Sequence, residues 1–545
     1  MRILIVLSAL VLCASFIVAQ EVDNRSKVPY FVFPDEATAQ EEMLKTNPLV
    51  LRFAKSRAQL ANDVHLPTYH FVSPENRLND PNGLCYWRGN WHLFYQGYPP
   101  EDKRQHWGHA VSKDLLHWRD LPYAIYPGPE HACFSGSTLV EKDRVIAMYH
   151  GTEVGNMVAI SDDDLLLNWD KLTNQAVIPI PDTSEKEYKI FDPFIWKKGE
   201  YYYSLSGSQS YLQPMDQPVR AHYLFRSKNL IDWEYMHEFV EGDRFTQIGD
   251  DGACPYFWPI GDRHMLLFFS HNSGGQYLLG DYDTDNDVFK ATSHGKFNFG
   301  ASRPSGLHAP SASPDGKGGI IVIFNVNKGK ENRGWDQIMS LPRRLTLKGY
   351  DEVVIEPAGD IESLRKFKKN ISSRMIPANR EILLEGISGN AIEIETEIDV
   401  KDAESFELKV LRSADQSEYT KISFYKEKGL YKGFEYKRGS PKFEQYRKMR
   451  YSLISLDTDH SSVLSDINHR PPEVAPVLLG SDENLKLRIF IDKSIVEVFV
   501  NGKQCVSARV FPGLNDSLGV SVESRGGDSE IKSLNLYEMN NIYKK

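Results

Sequence analysis

Cysteine is scarce in this chain, with five in 545 residues. No two form a CxxC pair, which argues against a zinc site. Cys13 falls in the N-terminal segment. Nothing in the spacing of Cys85, Cys133, Cys254 and Cys505 demands a disulfide framework, so single buried thiols are expected. Positive charge is not in excess either. Lys and Arg number 64 against 74 Asp and Glu, for a net charge of −10. That balance speaks against nucleic acid or an anionic membrane as a partner. Beyond residue 20 no apolar run is long enough to cross a bilayer. The one long apolar run is N-terminal, "MRILIVLSALVLCASFIVAQE". Its single Arg, apolar centre and small residues near Ala19 read as a signal peptide over residues 1–20, so a secreted protein, extracellular or periplasmic, is expected.

Aromatic residues, by contrast, are plentiful, at 12% of the chain. Such a supply suits strands, and rings also stack on sugar faces. The length calls for at least two domains.

Strand-length apolar runs recur along the first two thirds. They are "WHLFYQG" at 91, "RVIAMYHG" at 144, "YYYSLSGS" at 201, "HMLLFFSH" at 264 and "GIIVIFNV" at 319, with starts 53, 57, 63 and 55 residues apart. A second signal, "SKDLLHW" at 112, "SDDDLLLNW" at 161 and "SKNLIDW" at 227, is interleaved with them. A period of this length, holding several strands per repeat, fits a β-propeller, and five runs predict five blades. The acids of "SDDDLLLNW" read as a solvated blade turn. About a dozen residues before each run stands a more polar segment: "NDPNGL" (79–84), "FSGSTL" (134–139), "FDPFIW" (191–196), "DDGACPYF" (250–257) and "GLHAPSAS" (306–313). In a propeller these are the first strands, next to the axis. Asp80, Ser135, Asp192, Asp251 and His308 are then expected around one funnel.

After about residue 356 the period stops. "NAIEIETEIDV", "KISFYKE" and "LKLRIFIDKSIVEVFVNG" alternate apolar and polar residues, the mark of an antiparallel sandwich. The fold class expected is therefore all-β, a five-bladed β-propeller followed by a C-terminal antiparallel β-sandwich. The expected boundaries are an N-terminal extension over 21–66, the propeller over 67–355, a linker over 356–376 and the sandwich over 377–545. The extension holds a short helix interrupted by Pro48.

Carboxylates meeting in an aromatic-walled funnel suit cleavage of a glycosidic bond. A retaining hydrolase uses one carboxylate as nucleophile and a protonated acid about 5–5.5 Å away. Burial and a neighbouring negative charge both raise the pKa of such an acid. Taken alone, Asp80 in "NDPNG" is equally well an Asx-turn residue.

A resemblance adds to this. "HFVSPENRLNDPNGLCYWRGNWHLFYQGYP", "HWGHAVSKDLLHW", "ACFSGSTLV", "GWDQIMSLPRRLTL" and "LKLRIFIDKSIVEVFVNGKQCVSARVFP" together resemble glycoside hydrolase family 32, the invertases, fructan hydrolases and levanases, from about residue 65 to 540. The resemblance implies a propeller with a sandwich, hydrolysis of terminal β-D-fructofuranosides of sucrose, inulin or levan type with retention, and no metal or other cofactor. It implies Asp80 as the nucleophile attacking the anomeric carbon and Asp192 as the group that holds fructose hydroxyls and stabilises the transition state. Asn79, Gln96, Trp107 and Ser135 match positions that bind the fructosyl unit.

The chain also departs from that pattern. Arg77 stands where the family usually has Trp, and Phe191 where an Arg precedes the second aspartate. Ala253 stands before Cys254-Pro255, where the family carries its acid/base glutamate. A methyl group donates no proton. Residues two apart on a strand face the same way, so Asp251 shares the face of Ala253 and is the expected acid, re-aimed by a bulge at Gly252. A solvated loop carboxylate is the other reading of Asp251. His308 reads as a hydrogen-bonded structural histidine, and Glu497 is given no catalytic part. Two rival functions stay open: a fructan-binding protein on a degenerate hydrolase scaffold, and a hydrolase or transferase acting on another furanoside through Asp251.

Overall fold

The five apolar runs each become the second strand of an antiparallel sheet: Asn90–Gly97, Val145–Gly151, Tyr201–Leu212, Arg263–Ser270 and Ile320–Val326. These strands are buried on both faces over most of their length, which is why they read as continuous apolar runs rather than alternating ones. The computed structural model describes residues 24–181, 188–332, 334–431, 450–480 and 482–543. The signal segment expected over 1–20 lies outside them.

The polar segments form the first strands, Leu78–Trp87, Cys133–Val140, Pro193–Lys198, Ala253–Ile260 and Leu307–Pro314. Five sheets result, in each of which the strands run outward in chain order. The first strand of blade 1 touches those of blade 2 and of blade 5, so the ring is closed. The Tyr256 hydroxyl ties the hub together. It donates to the Gly136 carbonyl, accepts the Gly83 N–H and lies 2.8 Å from the Ser311 hydroxyl, joining blade 4 to blades 2, 1 and 5.

The second signal marks the turn into each outer strand in blades 1 to 3. Leu115, Leu166 and Leu230 all take positive φ there. The side chain of Asp114, Asp163 or Asn229 accepts the backbone N–H groups that follow. Asp163 is not solvated as expected. It is buried and also takes the Gln40 side chain, because the N-terminal extension covers this turn.

Two sheets, of seven and six strands, pack face to face over an aliphatic core to form the sandwich. Its first strands, Arg365–Ile371 and Arg374–Ile376, lie within the segment expected as a linker. The domains are joined by a mixed core in which Phe490, Ile495 and Phe499 pack with propeller residues such as Leu341 and Ile355. At this seam Glu497 is buried 3.5 Å from Arg343. Pro48 does not interrupt a helix. It opens the second of two, Ala37–Leu44 and Pro48–Leu60, with the Asn47 side chain accepting from Leu49 N and Val50 N. A proline at the first helical position has no N–H to leave unpaired. The four cysteines at 85, 133, 254 and 505 are free and buried.

Candidate active site

In four of the five blades the pairing of first and second strands is broken near the hub. The breaks lie between Leu78 and Pro81 (with a second between Asn82 and Cys85), Cys133 and Gly136, Ala253 and Tyr256, and Leu307 and Pro310. Such bulges bend a strand and re-aim its side chains. In blade 4 the break holds Cys254 at a φ of 50°, an uncommon conformation for a residue with a Cβ. The bulge expected at Gly252 therefore falls at Cys254. Gly252 is glycine for another reason, since a Cβ there would lie 2.5 Å from Nε2 of buried His222.

The bent strands bring the expected carboxylates together. Asp80 Oδ2 accepts the Ser135 hydroxyl at 2.6 Å and the Gln96 amide at 3.2 Å. Its other oxygen, Oδ1, is buried without a well-aligned hydrogen bond and has His308 Nδ1 3.1 Å away. Arg303 reaches His308 Nε2 at 3.0 Å. A guanidinium only donates, so Nε2 accepts there, while Nδ1 lies between Asp80 Oδ1 and the Asn325 amide nitrogen, 3.3 Å away. From blade 3, Asp192 Oδ2 accepts the Cys254 backbone N–H at 3.1 Å and lies 3.3 Å from the Cys254 thiol. The same sulfur is 3.8 Å from Asp80 Oδ2. One thiol thus touches both carboxylates, which belong to residues 112 positions apart.

The two acids are driven apart electrostatically. Burial, followed by the charge of Asp80, pushes the Asp192 carboxyl up to about 7. Burial works the same way on Asp80, but His308 and the Ser135 hydroxyl outweigh it and hold that carboxyl below its ordinary value. Burial first, then both carboxylates, hold the Cys254 thiol protonated. The site is built to keep one ionised carboxylate beside one that retains a proton near neutrality, an arrangement suited to nucleophilic displacement.

The expected sugar-binding residues fall into two groups. Asn79 and Gln96 are bonded to each other at 3.1 Å, and Asn79 Oδ1 also accepts from Asn325 and Gln337. Gln96 reaches Ser135 at 2.8 Å, so Asn79, Gln96, Ser135 and Asp80 form one polar wall. Trp107 is fully buried, with its indole N–H given to the Phe134 carbonyl at 2.9 Å, next to Ser135 of that wall, and its ring against Phe94 and Tyr149.

Asp251 is not an isolated loop carboxylate. Its Oδ1 accepts the His271 backbone N–H at 2.7 Å and its Oδ2 lies 2.6 Å from His271 Nδ1. Asp250 turns the other way, to the hydroxyls of Ser270 and Ser273. Ala253 packs with Cys254, Phe269 and Ala309, so a phenyl ring fills the space beside the methyl group. The Phe191 ring lies 4.9 Å from that of His150, tilted by 39°, and the Arg77 guanidinium sits 4.1 Å above Tyr98. Arg77, Asn79, Tyr98 and Arg303 line a cavity of about 400 Å³ next to the polar wall.

Residues 70–357 match the glycosyl hydrolases family 32 N-terminal domain, and residues 360–538 match the C-terminal domain of the same family. The chain belongs to glycosyl hydrolase family 32. Its similarity to a levanase of Bacillus subtilis is 27% identity over 522 residues, covering 88% of this chain and 71% of the levanase. To a sucrose-6-phosphate hydrolase of Zymomonas mobilis it is 25% identity, covering 85% and 90%. Among solved structures, fructan 1-exohydrolase IIa from Cichorium intybus superposes with a TM-score of 0.74 at 21% identity, covering 88% of this chain and 98% of that one. That enzyme is also known in complex with 1-kestose.

In this β-fructofuranosidase-like O-glycosyl hydrolase of family 32, the partner of Asp251, His271, is a residue that sequence reasoning missed. The hairpin register held the signal. Ala253 pairs with Phe269 across the hairpin, and extending that antiparallel register by two residues sets 271 opposite 251.

Proposed function

We propose that the protein is a secreted hydrolase of terminal β-D-fructofuranosides, acting on sucrose-, inulin- or levan-type substrates with retention. The observation that carries this is the contact of Cys254 with both Asp80 and Asp192 in a buried site of opposed proton affinities. Asp80 attacks the anomeric carbon. Asp192 holds ring hydroxyls and, once ionised, balances positive charge developing on the ring. Asn79, Gln96 and Ser135 orient the fructosyl unit. The N-terminal signal pattern supports export.

The test is incubation with sucrose, inulin and levan, with the first-formed anomer of fructose followed by NMR. Release of β-fructose, lost in Asp80→Asn, is the expected result. First-formed α-fructose would rule out retention. Phe191 and Arg77 favour a second reading, in which another furanoside occupies the same site. Turnover of furanosides other than fructosides, with none of these three substrates consumed, would select it.

A further inference from the structure

We propose that His271, held by Asp251, is the general acid and base of this hydrolase, in place of the glutamate that Ala253 lacks. The inference rests on the fructofuranosidase reading above.

A general acid must carry a proton, reach the leaving oxygen and be re-protonated between turnovers. The His271 side chain is half-exposed, so solvent can return the proton. Its Nδ1 and backbone N–H are both committed to Asp251. A carboxylate only accepts, so Nδ1 carries a hydrogen and Nε2 is the working nitrogen. Nε2 has no hydrogen bond to any described residue.

The ring also stands in the right place. Phe269, which fills the space beside Ala253, lies 5.2 Å from the His271 ring and 3.9 Å from the His308 ring. His271 and His308 are themselves 5.9 Å apart, and His308 touches Asp80. The imidazole therefore rises over the position of the missing carboxyl, on the same face of the hairpin. A histidine spans the gap that Asp251 alone, two residues from Ala253 along the strand, cannot.

The ionisable groups facing His271 are Asp251 on the same hairpin, Asp192 of blade 3, Asp80 of blade 1 and His308 of blade 5. The Asp251 hydrogen bond is the largest influence. It outweighs burial and, with the negative charges of Asp192 and Asp80, lifts the imidazolium above its ordinary range. His308 cannot serve instead. Both its nitrogens are engaged, and burial, opposed by Asp80, holds it below the ordinary range.

In the first step a bond forms between the Asp80 carboxylate and the anomeric carbon. The bond from that carbon to the leaving oxygen breaks, and that oxygen takes the proton from His271 Nε2. In the second step neutral Nε2 takes a proton from water. The water oxygen bonds to the anomeric carbon, and Asp80 departs as a carboxylate. Asp251 remains ionised throughout and is a positioning residue.

The test compares inulin with p-nitrophenyl β-fructofuranoside, whose leaving group needs no proton, across a pH series. His271→Gln is expected to lower kcat/KM on inulin by about 10²- to 10⁴-fold, to leave formation of nitrophenolate within about tenfold, and to abolish the basic limb. In His271→Ala, added imidazole restores part of the inulin activity. Asp251→Asn moves the basic limb to lower pH. A His271→Gln enzyme that hydrolyses inulin with an unchanged basic limb overturns the proposal. If Asp80→Asn is inactive in that same experiment, the fructofuranosidase reading survives the loss. If wild type cleaves neither substrate, both fall together.

Discussion

The Ser135 hydroxyl donates to Asp80 Oδ2 at 2.6 Å, and the Gln96 amide reaches the same oxygen at 3.2 Å. Ser135→Ala removes one of the contacts that hold Asp80 below its ordinary pKa. The acid limb of kcat/KM is expected to move to higher pH, with kcat down about 10- to 100-fold, by analogy with other removed hydrogen bonds to a reacting group. A pH-rate profile of the variant on sucrose checks both.

Asp192 costs stability at alkaline pH. Its carboxyl titrates at about 7 in the folded chain, above the ordinary value of about 3.9 for an unfolded Asp. The folded state therefore binds the extra proton between those values, and stability falls as pH rises through the window. Asp192→Asn removes this loss. It is expected to be inactive yet more stable at pH 8 by about 2–4 kcal/mol, with little gain at pH 4. Denaturant melts of both proteins at the two pH values measure it.

Restoring the family residue should not restore the family's chemistry. Ala253 packs with Phe269 and Ala309 in a filled space. Ala253→Glu is expected to cost about 1–3 kcal/mol by overpacking and to lower activity on inulin rather than raise it. A thermal melt and an inulin assay on the same sample check this.

Gly252 has to lack a side chain. With a Cβ 2.5 Å from His222 Nε2 and 3.1 Å from the Ala221 carbonyl oxygen, Gly252→Ala pushes the backbone that carries Asp251. A stability loss of about 1–3 kcal/mol is expected, together with a basic limb displaced toward lower pH. Retention of both the melting midpoint and the pH profile of wild type would contradict it.

The architecture was legible in the sequence because the second strand of each blade is buried over a stretch of six or more residues and so carries a recognisable apolar run. The first strands carry Asp80, Ser135, Asp192 and His308, polar groups that no periodicity announces. They became visible only as departures standing at a constant offset from the runs. Asp80 and Asp192 were reachable that way. His271 was not, since it ends the run "HMLLFFSH", and its facing of Asp251 depends on a register that the bulge at Cys254 obscures. Trp107 matched a sugar-binding motif, yet side-chain depth is not written in a motif. Asp163 and Pro48 were misjudged for one shared reason: the effect of the N-terminal extension on its neighbours is tertiary.

Asp492 of the sandwich accepts the backbone N–H groups of Thr68, Tyr69 and His70 and the side chains of Thr68 and His70. Those three residues stand shortly before the strand Leu78–Trp87 that carries Asp80. The second domain is thus a clasp on the opening turn of the ring. A change at that one buried carboxylate therefore loosens the entry to the first blade from the far side of the domain seam.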